Sequence, residues 1–442
     1  VTRRRALPHG PSRPHRHRRH RAAAALALAG CAALTACGSD EGPPQLTWYI
    51  NPDTGDQARI AEECTQASDG AYRITTSILP TEADGQREQL VRRLAAGDTG
   101  IDLMSLDPPF APEFAEAGFL HELPEDFART VTEGVVESAV IAATWKDEIV
   151  AAPFWANTQL LWYRKSVAEA AGLDMSQPVT WEQIVEAAQD QDATIAVQGR
   201  RYEGYVVWIN ALVESAGGKI LENPEQDPES LETGLDTDAG RRAAQVIRDV
   251  ATKAGGPGIT TADEEAARAL FQSDQGGFML NWPYVWAAMT QAAEAGQVDE
   301  GFLDDVGWAL YPRVTEDEAP APPFGGILLG VGAFTEHPDE AFDAAECIVS
   351  VDKQIDAMLS GGNPVAAVEG YDDPEVRDAF PMAEAILDSL QQARPRPQTP
   401  YYGEVSGSLQ RVWHPPTTVD PESDPDEAGD LILGVIRGER LL

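Results

Sequence analysis

This chain is predicted to fold as an α/β protein, on three observations. Apolar β-branched runs alternate with helix-period segments from Gln45 onward, and the links between them are short. After Trp155-Ala156-Asn157 the alternation starts again, giving two α/β regions in succession. Strand, helix, strand, helix, strand with short links makes βαβ units and therefore a mostly parallel sheet. At 442 residues there is material for two or three domain cores or for one large bilobal unit.

In order, Gln45–Ile50 is a short apolar strand, and the turn Asn51-Pro52-Asp53-Thr54-Gly55 leads into a helical pattern over 57–67. Residues 72–79 read as a strand, 86–96 as an amphipathic helix, and 101–106 as a third strand stopped by Asp107-Pro108-Pro109. A further helix starts at Ala111. The runs 149–154 and 158–163 are strand-like. In the second region the spacing predicts helices over 181–189, 205–216, 239–254, 264–272 and 284–295. Strands are predicted at 195–197, 277–281, 307–310 and 327–333, then a helix over 339–350. From Pro364 on the pattern is helical, broken by proline-rich loops at 394–400 and 415–425. No fixed-period repeat is present, which disfavours solenoids and propellers.

Composition narrows the function. The 33 basic residues face 72 acidic ones, a net charge of −39 that repels phosphate backbones, so no nucleic-acid partner is expected. The hydrophobic content of 43% is that of a globular chain. Four cysteines without a CxxC pair argue against a cysteine zinc site.

Residues 1–36 stand apart. They carry eight arginines, no acidic residue, and an apolar run over 22–34 that is too short to span a bilayer. This is the pattern of a secretory signal peptide. Leu34-Thr35-Ala36-Cys37 resembles the lipobox of bacterial lipoproteins, which implies that Cys37 is lipidated and that 37–44 is a tether. The leader removes eight basic residues and no acidic ones, so the mature charge falls to −47. Of the four cysteines, Cys31 leaves with the leader and Cys37 carries lipid. Cys64 and Cys347 remain in an oxidising compartment and are expected to pair. A loop that long is worth roughly 5 kcal/mol in the chain-entropy picture.

Further motifs carry a family resemblance. They are Ile101-Asp102-Leu103-Met104-Ser105-Leu106-Asp107, Glu113-Phe114-Ala115-Glu116-Ala117-Gly118, Asn157-Thr158-Gln159-Leu160-Leu161-Trp162-Tyr163-Arg164, Asn281-Trp282-Pro283 and Phe324-Gly325-Gly326. In this order, behind a lipobox, they resemble the solute-binding lipoproteins of ABC importers, the carbohydrate group in particular. Within that group the chain is most similar to the trehalose-binding lipoproteins of actinobacteria, which have cysteines at positions matching Cys64 and Cys347.

The resemblance implies a type II periplasmic-binding-protein fold, with two α/β lobes joined by crossing strands. Residues 45–153 and 326–362 would form lobe 1, and 154–325 with 363–442 lobe 2. It also implies a cell-surface, lipid-anchored monomer that delivers a neutral sugar to permease subunits driven by a cytoplasmic ATPase. Trehalose is the first expectation. Maltose, malto-oligosaccharides or another solute is the alternative.

The candidate ligand residues sit at strand ends, where open α/β sheets bind ligands. A sugar is held by groups that pair with its hydroxyls and by flat rings against its C–H faces. Asp107 offers a carboxylate stiffened by two prolines, or else a turn or helix cap. Asn157 offers an amide at the lobe crossover, or else stabilises its own loop. Trp282 is a stacking platform or core, and Glu264 a ligand or an ordinary helix-start charge. Gly325 and Gly326 allow close backbone approach or form a bend. Asn51 and Asp53 suit turn formation as well as binding, and Asn51 is kept as a candidate.

One departure concerns an arginine that the trehalose binders carry in the stretch matching 401–412, where this chain has Ser408. Arg411 lies one helical turn on; either it reaches the same place or the sugar differs. The main rival class is an extracellular glycoside hydrolase, which also needs paired carboxylates and rings. No GxSxG, HExxH, P-loop or EF-hand motif is present, and only His121, His337 and His414 follow the leader. An enzyme, a cofactor and a metal are therefore not expected. Anionic cargo should recruit basic residues into the cleft, and none of the candidates is basic.

Overall fold

Gln45–Ile50 (β1) is the seed of the first sheet. It pairs in parallel with β2 (Arg73–Ile78) and with β3 (Leu103–Leu106), the crossovers being helices Asp56–Ala67 and Ala83–Leu94. All four residues of β3 are buried, as expected of a central strand covered on both faces. This computed structural model describes residues 42–53, 55–299 and 301–442. The expected leader 1–36, the lipidated Cys37 and tether residues 38–41 lie outside the described residues.

A two-stranded hairpin, β4 (Thr144–Trp145) and β5 (Glu148–Ile149), precedes β6 (Ala152–Asn157). The second sheet takes β7 (Leu160–Arg164), β8 (Thr194–Ala196), β9 (Gly276–Asn281) and β10 (Val306–Ala309), in the order β10-β7-β9-β8. The chain then returns as β11 (Gly325–Val331), which slots between β3 and β6 and completes the order β2-β1-β3-β11-β6. β11 runs antiparallel to both neighbours. Among the named strands of the described residues only β2-β1-β3 and the β8–β9 pair are parallel, so both sheets are mixed rather than mostly parallel. In the first sheet the reason is connectivity: β11 arrives from the other sheet without a βαβ crossover to fix its direction.

Behind the first sheet, Trp48, Ile60, Phe154 and Ile348 share one core. There the Cys64–Cys347 disulfide is formed, joining helix Asp56–Ala67 to helix Pro338–Ile348 as expected. Trp181, Tyr205, Trp208 and Phe278 pack together on the second sheet's side. Helix Trp181–Asp190 starts with a reciprocal capping box between Thr180 and Gln183. Helix Glu203–Ser215 is buried on nearly every side, which is why its sequence lacks a polar stripe. The predicted helix over 239–254 is α-helical at Asp238–Asp249 and continues as a π-helix over Val250–Ala254.

Two chain crossings lie side by side where the sheets meet. β6 passes to β7 through Thr158-Gln159, and β11 begins at Gly325, which is the register partner of Asn157. Thr158 Oγ1 is fastened to Ser389 Oγ at 2.8 Å. Among the described residues no helix is long and apolar enough to cross a membrane.

Candidate functional site

The strand ends converge on one cleft of about 510 Å³ between the two sheets. All seven candidates, Asn51, Asp107, Asn157, Glu264, Trp282, Gly325 and Gly326, line it. They come from both halves: Asn51 and Asp107 follow β1 and β3, Asn157 ends β6, Gly325 and Gly326 open β11, and Trp282 follows β9. The volume is in the range of small-molecule pockets.

Local bonding sets what each offers. Asn51 donates Nδ2 to Gln86 Oε1 at 2.9 Å, while its Oδ1 is buried without a partner. Asp53 accepts the Gly55 and Gln57 amides at 3.0 and 2.7 Å, a turn and helix-start role outside the cleft lining. Asn157 accepts the Thr158 amide on Oδ1 at 3.0 Å, so the loop-stabilising role is present and Nδ2 is left to donate. Beneath Trp282 and Glu264 runs a buried amide chain. Gln159 donates to Gln198, Gln198 to Asn281 Oδ1 at 3.2 Å, and Asn281 to the Glu264 carbonyl at 3.0 Å. Asn281 Oδ1 also accepts the Trp282 amide at 2.9 Å, which fixes where the ring leaves the strand. Glu264 opens helix Glu264–Phe271, whose N-cap is Asp263, and burial pushes its carboxyl above the ordinary range.

Asp107 is not free. Arg396 holds it bidentately, Nη2 to Oδ1 at 2.5 Å and Nη1 to Oδ2 at 3.2 Å. Arg396 Nη1 also donates to Glu203 Oε1 at 2.5 Å. Glu203 in turn accepts from the Tyr402 hydroxyl and, on Oε2, from Ser406 Oγ at 2.6 Å. Burial pushes the Glu203 carboxyl up, with the Arg396 charge opposing. Arg396 is driven well above its ordinary value: burial alone would lower it, and Asp107, Tyr402 and Glu203 more than offset that. Its Nε lacks a partner and its side chain is only 4% exposed, yet it lines the cleft. The expectation of a cleft without basic residues is thus corrected: Arg396 and Arg200 both line it.

Of the two alternatives left open for Arg411, the structure does not bring it to the cleft. It is exposed and donates to the Leu441 carbonyl at 2.9 Å, and Ser408 is fully buried outside the cleft lining. Helical periodicity turns Arg411 to the outside, and the arginine of the cleft comes from the loop before that helix. Its signal was the string Arg394-Pro395-Arg396-Pro397, in which two prolines stiffen the backbone around one charge. Tyr202, Gln86 and Trp155 are further lining residues not singled out in the sequence.

Two α/β lobes with a polar, ring-lined cleft at the chain crossings define a ligand-binding protein of the type II periplasmic-binding fold. The comparison proteins agree. Maltose-bound MalE3 of T. maritima superposes with a TM-score of 0.75 at 27% identity, covering 89% of this chain and 99% of that one. The GacH receptor of Streptomyces glaucescens, described in unliganded and acarbose-bound forms, gives 0.72 at 18% identity over 90% and 98% of the two chains. A probable ABC transporter-binding protein of Deinococcus radiodurans is 24% identical over 372 residues, 79% of this chain and 84% of its own. Residues 71–355 match the bacterial extracellular solute-binding protein family, and the chain belongs to that family.

Proposed function

We propose that this protein is the lipid-anchored receptor of an ABC sugar importer, and that it captures a disaccharide, trehalose first, in the interlobe cleft. The observation that carries the reading is the gathering of two rings, Trp155 and Trp282, with the Asn51 and Asn157 amides, the Glu264 carboxylate and the Arg396 guanidinium around one volume. Rings suit the C–H faces of a sugar, and the polar groups suit its hydroxyls. Cys37 is the proposed anchor on the outer face of the cell membrane. The permease and its cytoplasmic ATPase are the proposed partners of a monomeric receptor.

Residues 45–153 with 326–362, and 154–325 with 363–442, are proposed as the lobes that close on the solute. Closure shifts an open–closed equilibrium by the ligand's differential affinity. We read the cleft as non-catalytic, because both Asp107 oxygens are engaged by Arg396, leaving that carboxylate unsuited to the acid–base work of a glycoside hydrolase. Maltose or malto-oligosaccharides form the second reading, favoured by the likeness to the maltose-bound MalE3 structure.

Calorimetric titration of the chain from Ser39 against trehalose, maltose, maltotriose, glucose and glycerophosphocholine tests this. Saturable trehalose binding that is lost in Asn157→Ala and Trp282→Ala supports it. Binding of maltotriose instead keeps the receptor and changes the cargo. Silence for all the sugars rejects the sugar reading.

A further inference from the structure

Arg200 reaches from one wall of the cleft to the other. It stands on the loop after β8, in the half built on the second sheet, with its amide bonded to the Ala262 carbonyl at 3.0 Å. Its guanidinium lies over the Tyr202 ring, 4.3 Å from the centroid, and 3.8 Å from Asp263. From that seat Nη2 donates to Glu82 Oε1 at 2.8 Å. Glu82 follows β2 of the first sheet and immediately precedes helix Ala83–Leu94. Arg200, Tyr202, Asp263 and Glu82 all line the cleft.

We propose that Arg200 is a retention residue: its bridge to Glu82 is a latch across the solvent-side edge of the cleft, and it governs how fast a bound solute leaves. The Arg396–Asp107 bridge also spans the two halves, but it is deep, with side chains 4% and 16% exposed. The Arg200 and Glu82 side chains are 35% and 53% exposed. Salt screens a half-exposed pair strongly and a buried one little, so the two ties have different signatures. Tyr202 and Asp263 hold Arg200 in place beforehand, so closing the latch orders mainly the Glu82 side chain. A contact made only when the walls meet stabilises the closed form, and its loss shifts the equilibrium toward opening.

The sugar reading above enters only in the choice of probe. Stopped-flow tryptophan fluorescence reports on the cleft through Trp155 and Trp282, with trehalose and maltose as probes on the chain from Ser39. Arg200→Ala and Glu82→Gln should each raise the dissociation rate about fivefold, and the double variant no further, since one exposed pair is at stake. The wild-type rate should rise by a similar factor between about 50 mM and about 1 M NaCl, while the variants stay flat.

Unchanged rates overturn the latch, as do additive effects without a salt response, which mark a merely structural residue. Should neither sugar bind the wild type, the sugar reading fails and small-angle scattering decides the latch on its own. Arg200→Ala should then have a larger radius of gyration than wild type at low salt, with the difference gone at high salt. Equal radii at both salts overturn it.

Discussion

Trp282 stands so close to Gly325 that a Cβ added there would lie 2.9 Å from the ring's Cζ3 and Cη2. The ring follows β9 of the second sheet, and the glycine opens β11 of the first. A side chain of one half thus rests on the crossing backbone of the other, at the cleft.

Gly325→Ala should therefore displace the ring and weaken sugar binding about tenfold, roughly the value of one good aromatic contact. Its thermal stability should change little. Gly326→Ala should cost more in stability, because φ there is +108° and a Cβ would sit 2.2 Å from the Trp155 carbonyl oxygen. Calorimetric titration and thermal melts on the two variants separate the steric effect from the backbone effect.

Arg396→Met leaves Asp107 and Glu203 without their cation. Stranding buried charge in this way typically costs about 3–5 kcal/mol, so urea unfolding should show a large loss at pH 8. Protonation of Glu203, whose carboxyl burial already pushes up, should relieve part of it, and the deficit should shrink at pH 5. A deficit independent of pH would mean that packing, and not charge, accounts for the loss.

Reducing the Cys64–Cys347 bond opens a link between residues 283 apart in sequence. Stability should fall by up to about 5 kcal/mol, the chain-entropy ceiling for a loop of that size. Denaturant midpoints with and without reductant, and for the Cys64→Ser/Cys347→Ser double variant, check the value.

Glu214 supplies a pH signature. Burial pushes its carboxyl from the ordinary 4.5 up to about 7, with Lys219 and Arg394 opposing and Glu222 adding to the rise. The folded state then holds a proton that the unfolded state has already released between those two values. Its contribution to stability is accordingly full at low pH and lost as pH rises through about 7. Glu214→Gln should match wild type near pH 4.5 and exceed it by up to about 3 kcal/mol at pH 8, measured by urea unfolding.

The strand ends were legible in the sequence because a β-branched run stopped by a turn signals both an element and its exit. Those exits placed Asp107, Asn157 and Trp282, and the family resemblance of their motifs is what singled them out as ligand residues. β1 was legible to the residue. β11's antiparallel direction was not, since pairing direction depends on a partner far along the chain. The Arg396 cluster was hidden for the same reason. Its partners Asp107 and Glu203 are 289 and 193 residues away, and a proline-rich loop has no periodicity to mark which side chain turns inward. Arg411, set on a regular helix, was the more visible arginine, and it does not line the cleft.

The seat of β11 between β3 and β6 has a consequence for biosynthesis. A nascent chain that has emerged as far as β6 has four of the five strands of that sheet and a gap between β3 and β6. The gap stays open until residues 325–331 have been made, after the whole second sheet has been synthesised. Such high contact order slows folding and leaves strand edges exposed. The first sheet can therefore close only once residue 331 has been made, with 111 of the 442 residues still to come.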